Sequence, residues 1–263
     1  MPKRLPITLG KEPLLEAVCE LRVSPAAGGA FHTVMPGYLF AKFPGQVSAL
    51  EQLPAAAIPE EIRAQEPELA YASVARVSWR EYFVLIGPRS VAIACRLPYP
   101  KWPRFKTDAL ELFRSVLASS LIKGIDRYSV KYVNFFPSPD GRHGFTEMMD
   151  WSIQIGDFIV GNERIRLRVE VPVDDAVTVI TIASPAQVAK PNEPEVQGGV
   201  VDVDTVCTYV TNDLGTFDRE LEDRLDRIRL VNKQAFFDCL TDRAIDLMDP
   251  KYDDDQQLSR SVH

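Results

Sequence analysis

From residue 14 to 23, Leu15, Ala17, Cys19, Leu21 and Val23 alternate with Glu16, Glu20 and Arg22, while Leu14 and Val18 fall on the polar side. Period-two alternation of this kind predicts a half-buried strand. Across residues 33–50, bounded by Pro36 and Pro44, Leu39, Phe40, Phe43, Val47 and Leu50 recur at helical spacings and predict a helix. Residues 54–67, rich in Ala, Glu and Pro, predict a connector with one helical turn. Three short strands are expected at residues 72–79, 82–87 and 90–97, joined by Arg80-Glu81 and Pro88-Arg89 as a meander. After Pro98-Tyr99-Pro100, the stripe Phe105, Leu110, Leu112, Phe113, Val116, Leu117, Leu121, Ile122 predicts an amphipathic helix over residues 104–122.

The second half replays this order. A strand is expected at residues 128–136, a turn at Ser138-Pro139-Asp140-Gly141 and a short helix at 145–151. Strands follow at 157–160, 164–173 and 177–183, then a proline-containing loop at 184–198, a strand at 199–210 and one long or broken helix at 214–248. Both halves run strand, helix, strands, helix, a repeat of element order and not of residues. The expected fold class is α+β: an antiparallel sheet of pseudo-duplicated strand-helix-strands-helix halves, with the helices on one face, built as one long curved sheet or two packed ones. The halves divide at residues 1–124 and 125–250, and the polar stretch 251–263, with Asp253-Asp254-Asp255, reads as a disordered tail. Tandem units of this order also build the saddle of the TATA-box-binding protein, a likeness of fold that transfers no function.

Composition narrows the class. A length of 263 residues supports a large core, and 46% apolar with 25% charged residues is an ordinary globular mixture. Cys19, Cys95, Cys207 and Cys239 lie far apart in apolar runs without C-x-x-C spacing, which predicts buried free thiols and neither a zinc site nor a redox pair. The N-terminus has no apolar signal core and no segment approaches a membrane span, so a cytoplasmic protein without membrane contact is expected. A net charge of −7 disfavours general nucleic-acid affinity, since phosphate contacts need clustered Lys and Arg, and it fits a DNA-bending saddle poorly.

The most unusual chemical signal is one strand. Arg164, Arg166, Arg168 and Glu170 alternate with Ile165, Leu167, Val169 and Val171, so three guanidiniums and a carboxylate line one face. Glu16, Glu20 and Arg22 line the first strand similarly, and Asp202 and Asp204 share a face of the strand at 199–210. If these strands adjoin, the sheet carries interleaved acids and bases. Three outcomes are open: a solvated face whose ion pairs contribute little, a partner surface using arginine forks, or a site where arginine holds a polyphosphate and the carboxylates bind Mg²⁺. Against the third, Asp202-Val203-Asp204 is the nearest approach to a metal signature. A second candidate is Trp102, set with Tyr99 among Pro98, Pro100 and Pro103 beside Lys101 and Arg104, either as a binding patch or as a helix lead-in packed on the sheet. Tyr128, Tyr132, Asn134 and Phe136 share one strand face and predict core or groove lining.

Familiar catalytic patterns are missing. His32, His143 and His263 are the only histidines, no G-x-S-x-G occurs, and Gly28-Gly29 and Gly198-Gly199 lack the continuation of a phosphate loop. No cofactor is expected from these patterns.

The segment Pro13-Leu14-Leu15-Glu16-Ala17-Val18-Cys19-Glu20-Leu21-Arg22-Val23 resembles the opening motif P-L-x-E-A-V-x-E-x-R-F of a sporadically distributed, poorly characterised bacterial family of about this length. Ile125 to Asn134 is similar to that family's R-x-G-L-R-Y-x-N strand, and Ala235 to Thr241 to its helical F-x-x-x-[IL]-T close. Val23 replaces the usual Phe and Ser129 the usual Gly, changes that touch packing. The resemblance implies a prokaryotic protein carried on accessory or mobile gene clusters, and supplies no catalytic residues. The expectation is therefore a non-catalytic binding or accessory subunit of a bacterial system, linked through the resemblance to defence against mobile elements, that recognises a protein partner through the charged sheet face. The alternatives are a metal-dependent phosphate or nucleotide enzyme and a nucleic-acid binder using the strand from Arg164 to Arg168.

Overall fold

The structure, a computed structural model, describes residues 3–26, 31–66, 69–138, 142–161, 163–189 and 195–253. Most of the expected tail (254–263), the tip of the expected turn at 139–141 and Gly28-Gly29 lie outside the described residues. The first half contains β1 (Thr8–Leu9), β2 (Leu14–Pro25), α1 (Phe31–Lys42), β3 (Val47–Gln52), a 3-10 turn (Pro54–Ala57), α2 (Glu60–Gln65), β4 (Ala75–Trp79), β5 (Tyr82–Gly87), β6 (Ser90–Cys95) and α3 (Trp102–Leu117). The second contains β7 (Ile122–Pro137), α4 (Arg142–Thr146), β8 (Gln154–Ile155), β9 (Phe158–Ile159), β10 (Ile165–Val173), β11 (Ala176–Val188), β12 (Val196–Thr211), α5 (Leu214–Asp238), α6 (Asp242–Leu247) and β13 (Pro250–Lys251).

Nine strands form one antiparallel sheet in the order β10-β11-β12-β7-β2-β6-β5-β4-β3. The opening strands of the two halves, β2 and β7, lie side by side at its middle. Each is flanked on its outer side by the last strand that its own half adds to this sheet, β6 and β12 respectively, while β13 pairs with β1 apart from it. The fold is thus α+β with the helices mostly on one side of the sheet.

Alternation sends one set of side chains to that helical side. Ala17, Cys19, Leu21 and Val23 of β2 join Tyr128, Val130 and Tyr132 of β7 in the main core, with Phe105, Leu112, Phe113 and Val116 of α3. On α5, Phe217, Leu221, Leu225 and Ile228 fall at three- and four-residue intervals and bury in the same core, with the helix lying over β12, β7 and β11. Each such buried apolar side chain contributes roughly 1.5–3 kcal/mol relative to exposure. A second cluster, including Phe136, Phe145, Val201, Val203, Phe236 and Leu240, extends the core toward the end of α5. Asn232 staples α5 to the sheet: its amide donates to Val130 O at 3.0 Å and to Val203 O at 2.8 Å.

Several boundaries differ from expectation for identifiable reasons. The helix expected over residues 33–50 stops at Lys42, because Pro44 and Gly45 (φ 71°) turn the chain and Val47–Gln52 then pairs with β4 as an edge strand. The helix expected to reach residue 122 ends at Leu117, and Ile122 already opens β7, which is longer at both ends than the expected 128–136. The short helix expected at 145–151 forms instead at Arg142–Thr146, and Met149 bridges to Leu240. The strand expected at 157–160 reduces to Phe158–Ile159 in a small hairpin with β8, separate from the main sheet.

Much of the loop expected at 184–198 is strand, because β11 continues to Val188 and β12 starts at Val196. Pro185 fits there since Ile165, the first residue of β10, pairs with Ser184, so Pro185 has no strand on that side to receive an N–H. The long helix breaks between Asp238 and Asp242, where the Thr241 side chain caps α6 by accepting from Ala244 N. Cys19, Cys95 and Cys207 are buried thiols, and Cys239 is half-buried. Among the described residues, no helix is long and apolar enough to cross a membrane.

Candidate functional site

The face of the sheet turned away from the main core carries the charges at its centre. Register places Glu20 of β2 opposite Ser129 of β7, and Arg22 opposite Arg127. On the other flank of β7, Lys131 stands opposite Asp204 of β12, and Val133 opposite Asp202. Glu16, Glu20, Arg22, Asp202 and Asp204 therefore do share one face, with β7 between them supplying Arg127 and Lys131.

The cluster is largely paired within itself. One oxygen of Glu20 accepts from Arg22 Nε and from Arg127 Nη2, each at 3.1 Å, so a single carboxylate holds together two guanidiniums that face each other across the strands. Arg22 also lies over the Tyr71 ring, 3.8 Å from its centroid. Lys131 pairs diagonally with Asp202 at 3.0 Å. Burial works against the Lys131 ammonium, but Asp202, Asp204 and Glu16 outweigh it and hold its pKa above the ordinary lysine value. At Asp204 burial prevails. Burial pushes its carboxyl up to about 6, Glu20 and Asp202 add to the rise, and Arg127 and Lys131 oppose it. Its Oδ1, like that of Asp202, is shut off from solvent and accepts no hydrogen bond.

The strand bearing Arg166, Arg168 and Glu170 does not join this cluster. β11 intervenes, and Val179, Thr181 and Ala183 face Glu170, Arg168 and Arg166 respectively. β10 is the terminal strand of the sheet, so one backbone edge has no partner in it. Arg168 pairs with Glu170 of its own strand at 2.5 Å. Arg164 and Arg166 are exposed and make no ion pair among the described residues. Arg164 precedes β10 and lines a polar recess of about 500 Å³ with Ser184, Gln187 and Gln197. On the opposite face of β10, Val169 and Val171 remain 39% and 37% exposed, because α5 packs across β12, β7 and β11.

Trp102 belongs to the helical side. It opens α3 and its indole N–H donates to Asp226 of α5 at 2.7 Å, so it is packed between helices and remote from the charged face. Tyr128, Tyr132, Asn134 and Phe136 are all buried on that side, as their common strand face implied.

Arg127 and Lys131 escaped the sequence reading, although they alternate with Tyr128, Val130 and Tyr132 and so had to face away from that core. Among the described residues, no three carboxylate, thiol or imidazole side chains converge in a way that would hold a metal ion. Fold and face together define an α+β protein with a charge-laced sheet and an open edge strand. No family model matches the chain, and no curated protein matches it.

Proposed function

We propose that the chain is a non-catalytic recognition subunit that binds a protein partner along β10 and the charged face beside it. The observation that carries this is the state of β10: nine residues at a sheet terminus, with arginines on one face and part-exposed valines on the other. The unpaired edge from Ile165 to Val171, ahead of Pro172 with its missing N–H, offers backbone hydrogen bonds to an added strand, and alternating side chains on its two faces supply specificity. Arg164 and Arg166, lacking internal counter-ions, are available to carboxylates of the partner. The central cluster, by contrast, spends its charges on itself and serves to fix the register of β2, β7 and β12. The exposed valines and the net charge of −7 favour a polypeptide over a nucleic acid at this edge. The motif resemblance supplies the setting we propose, an accessory component of a bacterial system directed at mobile elements.

The test is copurification from the native host, comparing wild type with the triple Arg164→Ala, Arg166→Ala, Arg168→Ala variant under mild salt. A stoichiometric protein retained by wild type and lost by the variant is the expected result. Recovery of nucleic acid or nucleotide instead, or of the same protein by both forms, would overturn it.

A further inference from the structure

On the helical side of the sheet lies a second feature, independent of β10. A cavity of about 480 Å³ opens between the N-terminal segment, residues 99–103, β7 and α5. That volume falls within the roughly 300–1,000 Å³ typical of small-molecule sites. On α5 the lining residues Asp226, Arg229, Leu230, Lys233, Phe236 and Phe237 recur at three- and four-residue steps, so one side of the helix's C-terminal half looks into it. Leu9, Leu14, Tyr99 and Trp102 complete a wall that is mainly apolar.

The charges in this wall do not balance. Its two carboxylates are already committed. Asp226 accepts from Trp102 Nε1 and from Lys106 Nζ, both at 2.7 Å, and Glu12 accepts from Lys101 Nζ at 2.6 Å. The cations deeper along α5 have no such partner. The Arg229 guanidinium carbon sits 4.3 Å from the Tyr132 ring centroid, its Nε is buried without an acceptor, and it makes no ion pair among the described residues. One turn further, Lys233 Nζ donates only to the carbonyl of Pro6. Burial, and then the neighbouring Arg229, bring Lys233 down to about 8. Arg229 and Lys233 are half-buried neighbours on one helix face with no anion between them, a cost that a ligand bringing the missing charge relieves.

We propose that this cavity binds a small organic acid, its carboxylate received by Arg229 and Lys233 and its ring or short aliphatic body lying against Trp102, Tyr99 and Phe236. The guanidinium offers a planar fork that fits a carboxylate. The Tyr99 and Tyr132 hydroxyls, 2.8 Å apart, stand at the same cavity and add a polar point of orientation.

The test uses 3-phenylpropanoate as probe and 3-phenylpropanamide as its neutral counterpart, with binding followed by ligand-observed NMR and calorimetry on the full chain. The acid is expected to bind more tightly than the amide by about tenfold or more, the loss of one charge-assisted contact. Arg229→Gln is expected to remove that preference, and Arg166→Ala on β10 to leave it unchanged. If Arg229→Gln fails to fold, Lys233→Met is measured in its place and is expected to weaken the acid alone. Equal binding of acid and amide, an unaltered preference in the variant that folds, or no binding of the acid at all would each overturn the proposal. None of these results depends on the β10 partner.

Discussion

Lys131 of β7 faces Asp204 of β12 directly in the sheet register, yet it forms its 3.0 Å ion pair with Asp202, one step along the same face of β12. Asp204 is left with a buried oxygen that accepts nothing. Its carboxyl keeps its proton up to about pH 6, against an ordinary aspartate value near 4. Between those pH values the folded chain binds more protons than the unfolded one, so the Asp204 contribution makes stability fall as pH rises through this window.

Asp204→Asn removes the charge and keeps the shape. It is expected to raise stability at about pH 7.5 by on the order of 2 kcal/mol and to flatten the dependence between about pH 4 and 6. Urea unfolding at a series of pH values reads both effects. Lower stability at the higher pH would show that attraction to Lys131 and Arg127 outweighs the burial of the carboxylate.

Asn232 supplies a second prediction, on the docking of α5. Its amide reaches carbonyls on two adjacent strands, β7 and β12, from a fully packed position. Asn232→Ala loses both bonds and leaves a small void, at a cost of roughly 1–3 kcal/mol. Asn232→Asp should cost more, since a buried carboxylate has no proton to donate to the two carbonyls unless it is neutralised. Chemical denaturation of the three forms ranks them. Equal stability of all three would show that α5 is held by its apolar face alone.

Gly198 tests how closely β12 and β7 approach at their far ends. A Cβ there would lie only 2.1 Å from the carbonyl oxygen of Phe136 and 2.8 Å from the Phe135 ring. The obstacle is backbone, which cannot rotate away. Gly198→Ala is therefore expected to destabilise the chain by roughly 1–3 kcal/mol, as overpacking does, with the melting temperature as readout. Gly37, with nothing within 4 Å of the same added atom, is the control for which steric cost is absent.

The parts of this molecule that sequence made legible are those set by period two. Alternation in residues 14–23 and 199–210 set Ala17, Cys19 and Leu21 on the inward face of their strand and gave Glu16 with Glu20, and Asp202 with Asp204, a common face on each; pairing of both strands with β7 is what brings the two pairs onto one face of the sheet. What alternation does not carry is the order of strands. The three arginines beside Glu170 had the strongest pattern in the chain, but β11 inserts Val179, Thr181 and Ala183 between them and the central cluster, a long-range pairing that no local window contains. β3 was hidden because five of its six residues are exposed, which removes the half-buried signature of a strand. Arg229 and Lys233 were hidden for the opposite reason: four-residue spacing of charges on a long helix looks the same whether the face meets water or a cavity.

The most direct test of recognition through β10 is amide hydrogen exchange across Ile165–Val173, measured on protein purified from its native host and on the same chain produced alone. The account predicts exposed, fast-exchanging outward amides on β10 in the isolated chain and marked protection of this strand in the native-host material, with the pocket-lining turns of α5 unchanged. Identical exchange in both samples, or protection confined to elements other than β10, would contradict it.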